Sequence, residues 1–595
     1  MFKEFAADSS GILSGLTSDI FPYFTFVIRI LLAVLAVLIV IRCIRSLISG
    51  SYESEQWGFL SLPNGARMYL NHWENTIGRA KSSDVCIQYP TMSRSHAAII
   101  RDSDGAWRVY DIGASSGVTV NGRQVEKNGN APVKTGDQIV LGGIGLVFVA
   151  IGKNEERIQA ESRTKPGKMI KQGSTLFFIT MFQILLGLQL CISKGDTLTL
   201  SIPLGFLALI AIMWLSYIFT RALRRVAFEV ESIAFFLSSI GLGIVASGNQ
   251  ADIFKYVAIF AVGVLLYFLT VWFLRDIGRV KAWRVPIAVV GMLLLAVNVV
   301  FSQAVFGARN WLQIGGVSFQ PSEFVKIAFI LVGAATLDKL FHRKNLFIFI
   351  IYSACCVMAL ALISDFGTAL VFFVAYLLIA YMRSGDLATV FLSVGGAALA
   401  GFLALTMKSH VAARFASWGS AWEHVNEGGY QQVRAMSAAA GGGLFGVGAG
   451  NGWLKNIFAA DTDMVFGVVC EELGLIIALV SIAALFALAF FAVKSAATAR
   501  SSFFAIGACA AVSIMLFQAI LNVLGSVDIL PFTGVTFPFV SKGGTSMIAC
   551  WGLLAFVKAG DTRQNASIAI KMPKRQREPD AFDSGIFGEI IDEEG

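Results

Sequence analysis

Charged residues are scarce in this chain. Only 14% of its 595 residues are Asp, Glu, Lys or Arg, against about 25% in an ordinary soluble domain. Hydrophobic residues make up 56%, and mean hydropathy is +0.70. Disorder and a plain soluble enzyme are both excluded, because a soluble fold of this length could not hide so much apolar surface. Cysteines number 8, with no paired or metal-ligand spacing. Cys355 and Cys356 are adjacent inside an apolar run. That excludes a disulfide scaffold and points to reduced, structural thiols. What remains is a polytopic membrane protein. The net charge of +8 comes from basic residues scattered between apolar runs, which marks inner loops rather than nucleic-acid binding.

The first apolar run, Phe24–Ile41, ends in Arg42 and Arg45. A cleaved signal peptide carries its charge before the apolar core, so residues 1–50 read as a membrane anchor. Residues 51–152 alternate short β-rich runs with turn signals such as Asn64-Gly65, Asn121-Gly122 and Gly136-Asp137, the pattern of a sandwich of about ten short strands. A basic linker fills 153–173, two further spans 174–228, and the main membrane body 229–560. With the anchor this makes about thirteen spans, each near the ~20 residues a bilayer requires. Arg221, Arg275, Arg279, Lys339, Arg343 and Arg500 fall in alternate loops. The positive-inside bias then predicts a cytoplasmic sandwich and C-terminus, with the N-terminus and a long loop at about 407–463 outside. The tail 561–595 is polar, with a basic patch at Lys571, Lys574, Arg575 and Arg577.

Within the sandwich, Ile77-Gly78-Arg79, Ser93-Arg94-Ser95-His96, Asp111-Ile112-Gly113, Val120-Asn121-Gly122 and Thr135-Gly136-Asp137 occur in this order. Order and spacing resemble a forkhead-associated (FHA) domain. The resemblance implies a phosphothreonine-containing cytoplasmic protein as partner. Arg79 and Ser93 would contact the phosphate, with Arg94, Ser115 and Ser116 as neighbours in the recognition loops. A dianionic phosphate calls for such charge-assisted donors. Ser116 stands where the family often has Asn. His96 reads as a brace for the loop.

The membrane body carries Gly307-Ala308-Arg309-Asn310-Trp311, Phe319-Gln320-Pro321-Ser322-Glu323 with Lys326, Asp365-Phe366-Gly367-Thr368, Gly429-Tyr430-Gln431, Asp461-Thr462-Asp463, Glu471-Glu472-Leu473-Gly474, and Leu530-Pro531-Phe532-Thr533-Gly534 through Ser541-Lys542-Gly543-Gly544. This series resembles the SEDS family (FtsW, RodA and SpoVE). The expected fold class is therefore a polytopic all-α membrane protein, a SEDS ten-helix body plus about three extra spans, with a cytoplasmic all-β FHA sandwich. The resemblance implies a peptidoglycan glycosyltransferase of the bacterial plasma membrane, acting on lipid II beside a class B penicillin-binding protein in division, shape or sporulation. Ionisable groups at membrane depth tend to be functional. A lipid pyrophosphate needs cations at the outer boundary, and Arg309, Arg414, Arg434 and Lys455 are available there. Lys326 and Asp365 are further substrate-side candidates, against which stand an internal Lys326–Glu323 pair and a helix cap for Asp365.

Glycosyl transfer needs a general base at the acceptor hydroxyl and positive charge or a metal at the leaving pyrophosphate. No cofactor follows from the pattern beyond room for a divalent cation, and no metal-ligand set is spaced for one. The family's outer loop reads approximately Asp-Pro-x-Gly-x-Gly-Tyr-Gln, with the Asp as catalytic carboxylate. Aligning on Tyr430 puts His424 at that position. Asp461 and Lys542 replace a family His and Tyr. Three readings stay open. Neutral His424 acts as base, its reference pKa being near 6.5. Or Glu423 or Glu427 supplies the carboxylate. Or catalysis is lost, leaving a scaffold that links phosphorylated proteins to a penicillin-binding protein. A lipid flippase or transporter is a third class of function. The glycine run Gly441–Gly446 mimics a dinucleotide fingerprint but lacks a strand–helix crossover.

Overall fold

The computed structural model describes residues 2–49, 55–81, 83–102, 105–162, 171–305, 308–314, 317–336, 343–385, 387–407, 415–563 and 566–569. Arg414, linker residues 163–170 and the basic patch of the tail lie outside the described residues. Among the described residues, ten helices are long and apolar enough to cross a membrane, beginning with Tyr23–Ile48 and ending with Ser502–Ser526. Two shorter apolar helices, Leu387–Phe402 and Gly544–Ala559, accompany them, as does Pro321–Thr336. The chain is a multi-pass membrane protein.

The expected apolar segments are helical, with one correction. The apolar run 464–495, which reads in the sequence as a single span, is not one span. It breaks at Gly474, between helices Val465–Leu473 and Leu475–Ala496. Gly474 adopts φ +92°, and a Cβ there would stand 2.3 Å from the Leu444 carbonyl oxygen, so only glycine fits the corner. A second feature was not expected. After the Ile277–Phe301 helix, the strands Gln303–Val305, Ala308–Ile314 and Val317–Phe319 form a three-stranded antiparallel sheet instead of a plain loop.

The Glu229–Gly248 helix is the axis of the bundle and is buried on every side. Its Phe235 packs edge-on against Trp551, 5.1 Å between ring centres, and Phe260, Tyr267 and Phe539 close round the same indole at 5.6–5.8 Å. Two glutamates of this helix enter the apolar interior as partnered charges, as burial demands. Glu231 pairs with Lys558 (3.1 Å), and Glu229 pairs with Arg563 (3.1 Å). Glu229 also accepts hydrogen bonds from Ser46 (2.6 Å) and Gln172 (2.9 Å). The helices Phe2–Ser49 and Gln172–Lys194 are thereby tied into the body by its own buried network.

Residues 58–150 form two packed antiparallel-rich sheets. One orders its strands Val85–Cys86, Glu74–Gly78, Ala97–Arg101, Trp107–Asp111, Asn130–Val133, and the other has six strands around Ile144–Ala150. Period-two burial in Trp107–Asp111 sends Trp107 and Val109 inward and leaves Arg108 outside, as half-buried strands require. Trp107 meets Phe148 of the facing sheet edge-on at 5.2 Å. The sandwich sits at the end of the bundle where the Leu475–Ala496 and Ser502–Ser526 helices turn into each other.

Candidate functional site

At the recognition end of the sandwich, Gly78 closes its strand against the neighbouring chain. A Cβ on Gly78 would meet the Arg94 carbonyl oxygen at 2.2 Å, so the Gly-Arg step brings the Arg79 backbone next to the Ser93 loop. The Arg79 N–H donates to the Ser93 carbonyl (3.0 Å), and its exposed guanidinium reaches the Pro90 carbonyl at 3.5 Å. Ser93 Oγ lies 3.2 Å from Ser115 Oγ and accepts from the Ser115 N–H at 3.3 Å. His96 is fully buried. Its Nδ1 accepts from the Ser93 N–H (3.1 Å), which leaves Nε2 to donate to the Gly117 carbonyl (3.0 Å). One neutral ring thus holds both recognition loops. Arg94, Ser115 and Ser116 are exposed on the same rim. The arrangement presents the Arg79 and Arg94 guanidiniums with the Ser93, Ser115 and Ser116 hydroxyls, a donor set suited to a phosphate.

The opposite end of the bundle carries the other candidates. Residues 421–429 form a run of turns that leads into the Tyr430–Gly442 helix. Glu423 and Glu427 are exposed there, and His424 is half-buried. His424 Nδ1 faces the Ser420 carbonyl at 3.2 Å. The Ser420 hydroxyl lies 3.4 Å from the same nitrogen; in the tautomer that donates Nδ1–H to the carbonyl, Nε2 keeps its lone pair. The turn is held by Asp528, which sequence reading missed. Asp528 Oδ1 accepts the Gly419 N–H and Oδ2 accepts the Ala421 N–H, both at 3.1 Å. Asp528 sits at φ +61°, where a non-glycine residue is strained. No local signal marks it, since its partners lie more than a hundred positions upstream. Arg434, one turn into the following helix, is exposed and stacks over Tyr430 at 5.3 Å.

Lys455 is engaged internally. Its ammonium donates to the Gly450 carbonyl and lies 3.9 Å from Glu472. Glu471 accepts the N–H groups of Trp453 (2.9 Å) and Leu454 (3.0 Å), and Glu472 accepts that of Gly450 (2.9 Å). The two glutamates therefore clamp the 450–454 backbone. Lys326 and Glu323 are 2.7 Å apart with side chains only 1% and 5% exposed. Asp365 caps the Phe366–Ser384 helix through the Thr368 N–H (3.1 Å) and accepts from Gln320 at 3.5 Å. Lys326 and Asp365 thus meet in one buried cluster, away from the His424 turn in its contacts. The side chain of Arg309 and all of Arg414 lie outside the described residues.

The two unusual residues Asp461 and Lys542 meet each other. The Lys542 ammonium bridges Asp461 and Asp252, each at 2.9 Å, and its N–H donates to the Asp461 carbonyl (2.8 Å). Burial pulls this ammonium down, but the two carboxylates outweigh it, and Lys542 titrates above the ordinary lysine range. Its contribution to stability is complete below the reference value of 10.5 and is lost as pH rises through the higher folded value. Lys542→Met is expected to loosen the 461–463 contact with 541–542 by about 1 kcal/mol, since the triad is about one-third exposed. Faster exchange of the backbone amide at position 542 is the readout. The carboxylates that converge here hold an ammonium and do not form a metal-ligand set. Among the described residues no three His, Cys, Asp or Glu side chains are grouped to hold a metal.

A multi-pass helical body with a phosphate-suited sandwich on one end defines a membrane protein of two modules. Residues 232–565 match the FtsW/RodA/SpoVE cell cycle protein family, and residues 75–142 match the FHA domain. The chain belongs to that family, the SEDS proteins, whose members include named peptidoglycan glycosyltransferases. The peptidoglycan glycosyltransferase RodA of Mycobacterium leprae is 28% identical over 50% of this chain and 67% of its own. A probable peptidoglycan glycosyltransferase FtsW of Wigglesworthia glossinidia brevipalpis is 30% identical, covering 56% of this chain and 94% of its own. A chain from a peptidoglycan synthase complex that coordinates polymerization and crosslinking aligns over 56% of this chain and 96% of its own, with TM-score 0.48 and 23% identity.

Proposed function

We propose that this protein polymerises lipid II on the outer face of the bacterial plasma membrane, beside a class B penicillin-binding protein. In this reading the FHA sandwich and C-terminus are cytoplasmic, and a phosphothreonine-bearing protein bound there brings the enzyme to its place of work. His424 Nε2 takes the acceptor hydroxyl proton, and Arg434 faces the donor pyrophosphate. The observation that carries the proposal is the setting of His424: the ring is half-open, and its Nδ1 lies 3.2 Å from the Ser420 carbonyl, a contact that suits the tautomer with a free Nε2 lone pair. A base needs that state in order to accept a proton.

A second reading is a scaffold without catalysis. It is favoured by the internal commitment of Lys455 and Lys542, which leaves fewer cations for a pyrophosphate. The test is glycan formation from lipid II by the full chain in lipid bilayers, with and without a class B partner. Chains are expected. Their absence under every partner condition overturns the enzyme reading in favour of the scaffold. Lipid translocation without chains would instead indicate a flippase.

A further inference from the structure

The sandwich is bolted to the membrane body. Arg500, in the turn between the Leu475–Ala496 and Ser502–Ser526 helices, makes a bidentate pair with Glu55 at 2.6 and 2.7 Å. Both side chains are nearly buried, 13% and 12% exposed. The guanidinium lies over Trp57 (5.3 Å) and Trp73 (5.9 Å), which pack edge-on to each other. Backbone pairing seals the seam. The Trp73 N–H donates to the Arg500 carbonyl (2.6 Å), and His72 Nδ1 donates to the Ala499 carbonyl (2.8 Å). Glu74 accepts from the hydroxyls of Ser501 (3.3 Å) and Ser502. Planar bidentate pairing with aromatic stacking fixes orientation as well as position.

The seam and the recognition loops occupy opposite ends of the sandwich. The strand Glu74–Gly78 starts at the seam and finishes beside Arg79. Its neighbour Ala97–Arg101 starts beside His96 and finishes at Arg101, whose guanidinium covers Trp57 at 4.6 Å. Four residue steps at about 3.4 Å each separate the ends by about 14 Å. Between them lie the Glu74–Ile77 ladder with Ala97–Ile100 and a packed core. A relay would need a second arrangement of these strands for ligand binding to select.

We infer that the sandwich is a fixed mount for its partner: the Arg500 clamp sets where a phosphothreonine-bearing protein is held against the membrane body, and it carries no signal from the recognition loops. This rests on the phosphothreonine reading proposed above. The test uses the full chain in lipid nanodiscs and a phosphothreonine peptide selected from a degenerate library, with its unphosphorylated form as control. In Arg500→Ala and Glu55→Gln, amide exchange at 71–77 and 497–503 is expected to rise together by at least about tenfold, the loss of one charge-assisted contact. Peptide affinity stays within about twofold in both variants. Saturating peptide leaves seam exchange in the wild type unchanged. Unaltered exchange in both variants overturns the mount. A peptide-induced change at the seam, or an affinity shift beyond about fivefold in Arg500→Ala, overturns the absence of relay. Failure of the phosphothreonine reading is separate: the wild type would bind neither peptide, while the seam still responded to Arg500→Ala. Arg79→Ala is the matching control, abolishing peptide binding without releasing the seam.

Discussion

Lys326→Met is expected to destabilise the membrane body by about 3–5 kcal/mol, the cost of leaving one partner of a buried pair charged and alone. Glu323 would be left without its counter-ion in a place where its side chain is 5% exposed. Its one strong ionic partner at 2.7 Å would be gone. Asp365, whose carboxylate caps the Phe366–Ser384 helix and accepts from Gln320, offers no positive charge in exchange. The double variant Glu323→Gln/Lys326→Met removes both charges and is expected to recover most of the loss. Thermal unfolding of the parent, Glu323→Gln, Lys326→Met and the double variant in one detergent gives the cycle, in which the coupling between the pair is the informative quantity. A Lys326→Met protein that unfolds where the parent does would mean the pair is wet and dispensable, and the lysine would return to consideration as a substrate cation.

That pair shows what the sequence can and cannot disclose. A Lys three residues after a Glu on an apolar helix is legible as an internal ion pair, because helical geometry alone brings the two together. The same holds for the Asp365 cap and for the strand periodicity of the sandwich, both set by neighbours in the chain. The motifs in order were enough to indicate the family, which the match over residues 232–565 bears out. Long-range pairings were not legible. Asp528 holding the 419–421 backbone, Lys542 joining Asp461 to Asp252, and Arg500 gripping Glu55 each bring together residues from distant segments. Nothing in local composition announces such a contact. The Asp461–Lys542 pair is the instructive case. Read one at a time, the two positions are isolated departures from a family pattern. Placed 2.9 Å apart, they are one charge-balanced replacement. The sheet of Gln303–Val305, Ala308–Ile314 and Val317–Phe319 was hidden for a different reason: it interrupts a membrane body whose apolar runs all read as helix.

His424→Ala is expected to lower lipid II polymerisation by about 10²–10⁴-fold, the usual worth of a positioned general base. Glu423→Ala and Glu427→Ala should each stay within about threefold of the parent, because both carboxylates are exposed and water-solvated, where a carboxylate lacks the burial that would tune it toward a base. Ser420→Ala keeps the carbonyl that receives the Nδ1 proton, so it should leave the rate nearly intact. Asp528→Asn would remove the acceptor charge from under the turn and is expected to reduce the rate without abolishing it, by letting the 419–421 backbone drift from its two hydrogen bonds. The decisive variant is His424→Asp. An aspartate has no proton to give Ser420 and reaches less far than imidazole, so in an enzyme that works through His424 it should fall well short of the parent. Chains from His424→Asp, with none from the parent beside any class B partner, would give the opposite answer: a body still able to bind lipid II whose chemistry ended with the loss of a carboxylate. The Lys542 bridge and the engaged Lys455 would then be the marks of a surface released from catalysis and kept for binding.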